Sequence, residues 1–212
     1  MPFRIPKIYP ILDSSILPPT GRAEALRRLG ESLAESGVTL LEYRNKVGGT
    51  AEIFRDAPIL RAAMRKNIKL ILDDRVDLID QIDFDGVHVD AGDLSPAAAR
   101  ARLGADRLIG TFGGSGELVQ GILAAPADYL SIGPVFRTQT KETKKPPIGP
   151  EGVARLRSEA GPGPVLVAVG GITLETARDV LAAGADTVAV SAAIFRAADP
   201  AAEFRRWKAE LG

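Results

Sequence analysis

VLVAVGGITLETARDVLAAGADTVAVSAAIF, residues 165–195, holds one complete repeat of the fold. A short run of β-branched and small apolar residues leads into Gly170 and Gly171. A segment with helical spacing follows, opened by Thr173 as an N-cap and closed near Gly184. A second apolar run begins at Thr187. Strand, helix and parallel strand make a βαβ unit, and its strands read as nearly unbroken apolar runs because a parallel sheet is covered on its outer face.

The same alternation extends toward the N-terminus. KIYPILD begins at residue 7, TLLEYRN at 39, KLILDD at 69, GVHVD at 86, LIGTFG at 108 and YLSIGPVF at 129. Between the first two lies RAEALRRLGESLAESG, in which Ala25, Leu26, Leu29 and Leu33 fall on one helical face. Eight β–α units in 212 residues average about 26 residues each, near the lower limit for a closed (β/α)8 TIM barrel. A doubly wound open sheet would need a glycine fingerprint after the first strand, and residues 13–18 (DSSILP) contain none. No linker or composition break interrupts the chain, and GPGP at 161–164 reads as a turn. The expectation is α/β, a single TIM-barrel domain over residues 1–212.

Composition narrows the function. Lysine plus arginine and aspartate plus glutamate both total 27, so the chain lacks the basic surplus that nucleic acid or an anionic membrane would attract. With no cysteine there is no disulfide framework, thiolate nucleophile or Cys-ligated metal, and the single histidine, His88, excludes a multi-histidine centre. The N-terminal stretch has no apolar run long enough for a signal peptide or a membrane span, so a cytoplasmic protein is expected. Any metal must be a hard cation held by carboxylates and substrate oxygens.

Barrel chemistry is built where strands end. Arg44 and Lys46 lie two apart at the end of the second strand, as they would if both faced an anion; a solvated pair matched by a nearby acid is the plainer alternative. Asp74 and Asp93, from neighbouring loops, are the favoured Mg²⁺ ligands, since Mg²⁺ takes one or two carboxylates together with substrate phosphates. The alternatives are Asp73 as an N-cap and Asp74 paired with Arg75 or Arg44. His88, within a strand, is expected to orient a ligand or a neighbouring carboxylate. Gly170 and Gly171, with Ser191 and Ala192 after the last strand, occupy the loops where many barrels bind a phosphate monoester through backbone amides. Residues 137–147 mix hydroxyls with lysines, which suits a lid over a polyphosphate.

Taken together, these segments resemble the thiamine phosphate synthase family along nearly the whole chain. Its Gln-x-Arg-x-Lys appears as Glu42, Arg44 and Lys46, and its Asn-Asp as Asp73 and Asp74. Its Gly-Val-His-x-Gly-x-x-Asp covers residues 86–93, its Gly-Pro-x-x-x-Thr-x-Thr-Lys is intact over 133–141, and its Gly-Gly-Ile is residues 170–172. The resemblance implies an enzyme, a transferase that joins hydroxymethylpyrimidine pyrophosphate to hydroxyethylthiazole phosphate and releases pyrophosphate. It implies that Arg44, Lys46 and Lys141 hold the pyrophosphate, that Asp74 and Asp93 carry Mg²⁺, that Thr138 and Thr140 line the lid, and that Gly171 binds the thiazole phosphate. Glu42, Asp73 and His88 join Gly170, Ser191 and Ala192 as expected substrate contacts. Small phosphorylated substrates are the partners implied; the oligomeric state is left open.

Several positions depart from the family pattern. Glu42 replaces glutamine, Asp73 replaces asparagine, and Phe112 stands where a serine hydroxyl is usual. Strand alternation turns the neighbouring Thr111 the other way, which leaves Ser115 as the other candidate for that hydroxyl. Ser191 comes one position early, where the family serine would fall on Ala192. Two other readings therefore stand beside the synthase: a thiazole tautomerase of the same fold, and a non-catalytic barrel that binds thiamine precursors. Dependence on Mg²⁺ separates the synthase from both.

Overall fold

A computed structural model describes residues 3–90, 92–138 and 145–212. The apolar runs form eight strands: β1 (Ile8–Asp13), β2 (Leu40–Arg44), β3 (Lys69–Asp73), β4 (Gly86–Val89), β5 (Leu108–Gly114), β6 (Tyr129–Ile132), β7 (Leu166–Val169) and β8 (Thr187–Val190). Each pairs in parallel with the next, and β1 also pairs with β8, with Ile8 opposite Val188, so the sheet closes into a barrel. Closure excludes the open doubly wound sheet.

The strands' period of two separates the barrel's two cores. Leu12, Leu41, Val87, Ile109 and Leu130 point outward into the shell beneath the helices. Tyr9, Leu40, Ile71, Tyr129, Val167 and Ala189 form a smaller cluster inside. The outer shell comprises α1 (Arg22–Ser36), α2 (Gly49–Met64), α3 (Pro96–Leu103), α4 (Gly149–Ala160), α5 (Leu174–Ala182), the single turn α6 (Ala192–Phe195) and α7 (Pro200–Leu211). As the spacing predicts, α1 buries Leu26 and Leu33 and ends at Gly37, while Thr173 closes a capping box with Thr176 at the start of α5. Trp207, the only tryptophan, is fully buried on α7. Among the described residues no helix is long and apolar enough to cross a membrane.

Two crossovers depart from the even β–α reading. Between β3 and β4, and between β5 and β6, the described chain forms only 3₁₀ turns, Val76–Gln81 and Ile122–Ala124.

Charge is not confined to the rim where the strands end. Asp85, Asp128 and Asp186 each stand just before an even-numbered strand. Each accepts from the backbone N–H of Leu70, Ile109 or Leu166 at 2.7–2.9 Å and pairs with Arg61, Arg100 or Arg157 respectively, from the helix before the strand that supplies that N–H. The sequence repeat thus has a structural counterpart at the N-terminal face of the barrel, where barrels carry stability rather than chemistry.

Candidate active site

Inward-facing positions at the C-terminal strand ends surround a cavity of about 720 Å³. Tyr9 from β1, Glu42 from β2, Asp73 from β3, His88 from β4, and Tyr129 and Ser131 from β6 line its depth. Register brings them level: Glu42 lies beside Ile11, Asp73 beside His88, and Ser131 beside Phe112. Gly110 makes room for the central ring, since a Cβ there would lie 2.0 Å from the Tyr129 ring carbon that bears the hydroxyl. The Tyr129 ring stacks on His88, with centroids 5.6 Å apart and planes 22° from parallel, and meets Tyr9 edge-on at 82°.

These groups share one row of hydrogen bonds. Tyr9 donates its hydroxyl to Glu42 Oε2 at 2.9 Å. With that proton committed, Tyr129 must donate to Tyr9 across their 2.8 Å contact. Tyr129 also meets His88 Nδ1 at 3.2 Å, and His88 Nε2 lies 3.4 Å from Ser131 Oγ. His88 Nε2 also lies 3.8 Å from Asp90 Oδ1. Burial and the nearby Glu42 hold both tyrosine hydroxyls well above their usual pKa. Glu42 itself is pushed up to about 8, first by burial and next by the charge of Asp73, with a smaller push from Asp90; the Tyr9 hydrogen bond and Arg44 oppose the rise.

The cationic pair is matched by acids, as in the plainer sequence reading. Arg44 pairs with Asp13 and lies 3.4 Å from Asp73. Lys46 Nζ lies 3.0 Å from Asp73 Oδ2 and also pairs with Asp74. β2 stops at Arg44, so alternation no longer governs Lys46, which is not among the residues lining the cavity. Asp74 is likewise set aside from the lining by a left-handed backbone (φ 68°), a conformation that aspartate tolerates better than most residues. Arg75 pairs with Asp77, not with Asp74.

Asp74 Oδ1 is buried with no hydrogen-bond partner, so one hard oxygen donor stands unsatisfied. Asp93 is exposed, and its Oδ2 accepts from the Asp90 N–H at 2.9 Å. No cluster of three or more His, Cys, Asp or Glu side chains able to hold a metal occurs among the described residues. The donor set suits Mg²⁺, which is commonly held by one or two carboxylates and completed by substrate phosphates and water.

At the other end of the cavity, Gly170, Gly171, Thr173, Ser191, Ala192 and Arg196 form the lining. Gly171 has φ 64°, and a Cβ there would come within 2.3 Å of the Arg137 carbonyl oxygen, so both backbone and space demand glycine. Arg137, Thr138, Lys145 and Phe112 complete the mouth, where Lys145 Nζ lies 3.8 Å from the centroid of the Phe112 ring. Thr111 donates to the Val89 carbonyl at 3.0 Å and does not line the cavity, as alternation predicts. Ser115 does not line it either.

One cavity therefore gathers Glu42, Arg44, Asp73, His88, Thr138, Gly170, Gly171, Ser191 and Ala192. Thr140 and Lys141 lie outside the described residues. Sequence reasoning missed Tyr9, Tyr129 and Ser131, whose inward phase in β1 and β6 could have revealed them. It also missed Arg196, which no strand pattern marks.

The family described as Thiamine monophosphate synthase matches residues 8–194. The thiamine-phosphate synthase of Koribacter versatilis is 40% identical over 189 residues, covering 89% of each chain. That of Chloroflexus aurantiacus is 35% identical over 205 residues, covering 96% of this chain and 91% of its own. Among solved structures, a thiamine phosphate pyrophosphorylase from Pyrococcus furiosus superimposes with a TM-score of 0.75 at 29% identity over 97% of each chain.

Proposed function

The chain belongs to the thiamine monophosphate synthase family, and from that membership and the cavity we propose that it is a transferase that joins hydroxymethylpyrimidine pyrophosphate to hydroxyethylthiazole phosphate. The observation that carries this reading is the convergence of Arg44, Asp73, Thr138, Gly171 and Ser191 on one cavity, although they come from distant parts of the chain.

The reaction breaks the C–O bond to pyrophosphate, and the electron pair leaves with the phosphate oxygen. The pyrimidine-bearing carbon becomes a cation stabilised by its amino-substituted ring. The thiazole nitrogen then supplies the pair for the new C–N bond. No proton has to move, so the site needs to offset the leaving charge and align the nucleophile rather than supply a strong base.

Arg44 turns to the pyrophosphate from its carboxylate partners, joined by Lys46, and the family pattern gives Lys141 the same role. Within the cavity's low-dielectric walls such charges act more strongly than they would in water. Thr138, at the mouth of the cavity, covers the leaving group, and the family pattern gives Thr140 the same task. Asp74 and Asp93 would hold Mg²⁺, which when bound offsets pyrophosphate charge. Gly170 and Gly171, with Ser191 and Ala192, offer backbone amides to the thiazole phosphate, and Arg196 lies close enough to add a cation. His88 and Tyr129 form the stacked surface against which the pyrimidine is held.

The test mixes purified protein with both substrates and Mg²⁺ and measures thiamine phosphate, with EDTA as control. Product that disappears with EDTA and is lost in Asp74→Ala is the expected result. Tight binding of the thiazole phosphate without product would instead favour a tautomerase or a binding protein, and isomerisation of the thiazole carboxylate would separate those two.

A further inference from the structure

Glu42 is a carboxyl in a place that disfavours charge. It is 4% exposed. From β1 it faces the hydroxyl of Tyr9, from β6 that of Tyr129, from β3 the carboxyl of Asp73, and beyond β4 that of Asp90. Among the described residues the cation that acts on it is Arg44 on its own strand, already shared between Asp13 and Asp73. A further negative charge here would meet two carboxyls in a desolvated pocket with only a divided counter-ion. Burial and those charges accordingly raise its pKa to about 8.

The hydrogen-bond geometry leaves the proton somewhere useful. Oε2 is occupied as an acceptor from Tyr9, and among the described residues the other carboxyl oxygen has no hydrogen-bond partner, while the residue lines the cavity. A neutral acid presents a donor and an acceptor side by side. The edge of an aminopyrimidine presents the complement, a ring nitrogen that accepts beside an amino group that donates. A carboxylate would satisfy the amino group but set a negative oxygen against the ring nitrogen's lone pair.

We propose that Glu42 binds the pyrimidine as a neutral carboxylic acid, donating to the ring nitrogen and accepting from the adjacent amino group, so that recognition weakens when its proton is lost. This rests on reading the cavity as the site of the pyrimidine pyrophosphate. Glu42 is then a specificity residue that keeps its proton throughout the reaction.

Two measurements test it on the full chain. In protein carrying ¹³C-labelled glutamate carboxyls, the signal absent from Glu42→Gln is expected to be that of a neutral acid at neutral pH and to titrate with a midpoint near 8. Calorimetric binding of hydroxymethylpyrimidine pyrophosphate, from about pH 6.5 to about pH 9.5, is then compared between wild type and Glu42→Gln. The ratio of the two affinities cancels the ionisation of the substrate's own pyrophosphate. Wild type is expected to lose about tenfold per pH unit relative to the variant above the midpoint. A carboxylate signal at neutral pH, a ratio that stays constant with pH, or no binding at any pH would each overturn the proposal. The expected ratio without thiamine phosphate formation would leave Glu42's role standing and remove the synthase. Product formation with a constant ratio would do the reverse.

Discussion

Glu42 and Asp74 show that a carboxyl's task is set by its surroundings rather than by its type. Asp74 leaves the strand in a left-handed turn and keeps one oxygen buried without a partner. Glu42 stays in the strand and meets hydroxyls and other carboxyls. The raised pKa of Glu42 has a consequence for stability. Between its ordinary value of 4.5 and the folded value of about 8, the folded protein holds a proton that the unfolded chain releases. Stability from this residue therefore falls as pH rises through that window, by at most about 1.4 kcal/mol per unit, and levels off above it. Glu42→Gln removes the effect. The melting temperature of the variant, taken relative to wild type at each pH, is expected to climb between pH 4.5 and about 8; a difference that stays flat would mean that Glu42 is charged when folded.

Among the elements, strand phase was the most legible part of the sequence. Glu42, Arg44, Asp73 and His88 could be placed because each sits at an inward position of a short apolar strand. Legibility stops where a strand stops, as Lys46, two residues past β2, and Asp74, just past β3, illustrate. Tyr9 and Tyr129 were hidden for a different reason, since an aromatic residue in an apolar strand reads equally well as core. The two crossovers with 3₁₀ turns could not be distinguished by spacing alone, because a short apolar segment fits either kind of helix. The Asp–Arg pairs at the N-terminal face lie outside the cavity and bear on strand ends. Asp186→Ala removes the acceptor of the Leu166 N–H and the carboxylate partner of Arg157, and is expected to cost about 1–3 kcal/mol in urea unfolding while leaving kcat/KM for thiamine phosphate formation unchanged. A fall in kcat/KM at full stability would show that this rim communicates with the site.

At the scale of the whole molecule, the barrel is covered unevenly. α1 and α2 pack closely, so closely that a Cβ on Gly30 would lie 2.7 Å from that of Ala63. Around the 3₁₀ turn Ile122–Ala124 the cover is thinner, and Val119 and Leu123 are 44% and 51% exposed. Local opening follows such differences in buried contact. Hydrogen exchange is expected to be faster across residues 115–128 than within α1 and α2, and equal protection of the two regions would contradict this picture of a barrel with a weak flank.

The distribution of aromatic side chains also divides the molecule's optical behaviour. Trp207 lies in the outer shell on α7, fully buried, with its indole N–H donating to Glu203 at 3.0 Å. Two of the three tyrosines, Tyr9 and Tyr129, line the cavity instead. Indole fluorescence therefore reports whether the barrel is intact and has little to say about what it holds. Near-ultraviolet absorbance of the phenol rings reports the occupant. A single cuvette, read in both windows during a ligand titration, distinguishes a filled cavity from a loosened fold without any added label.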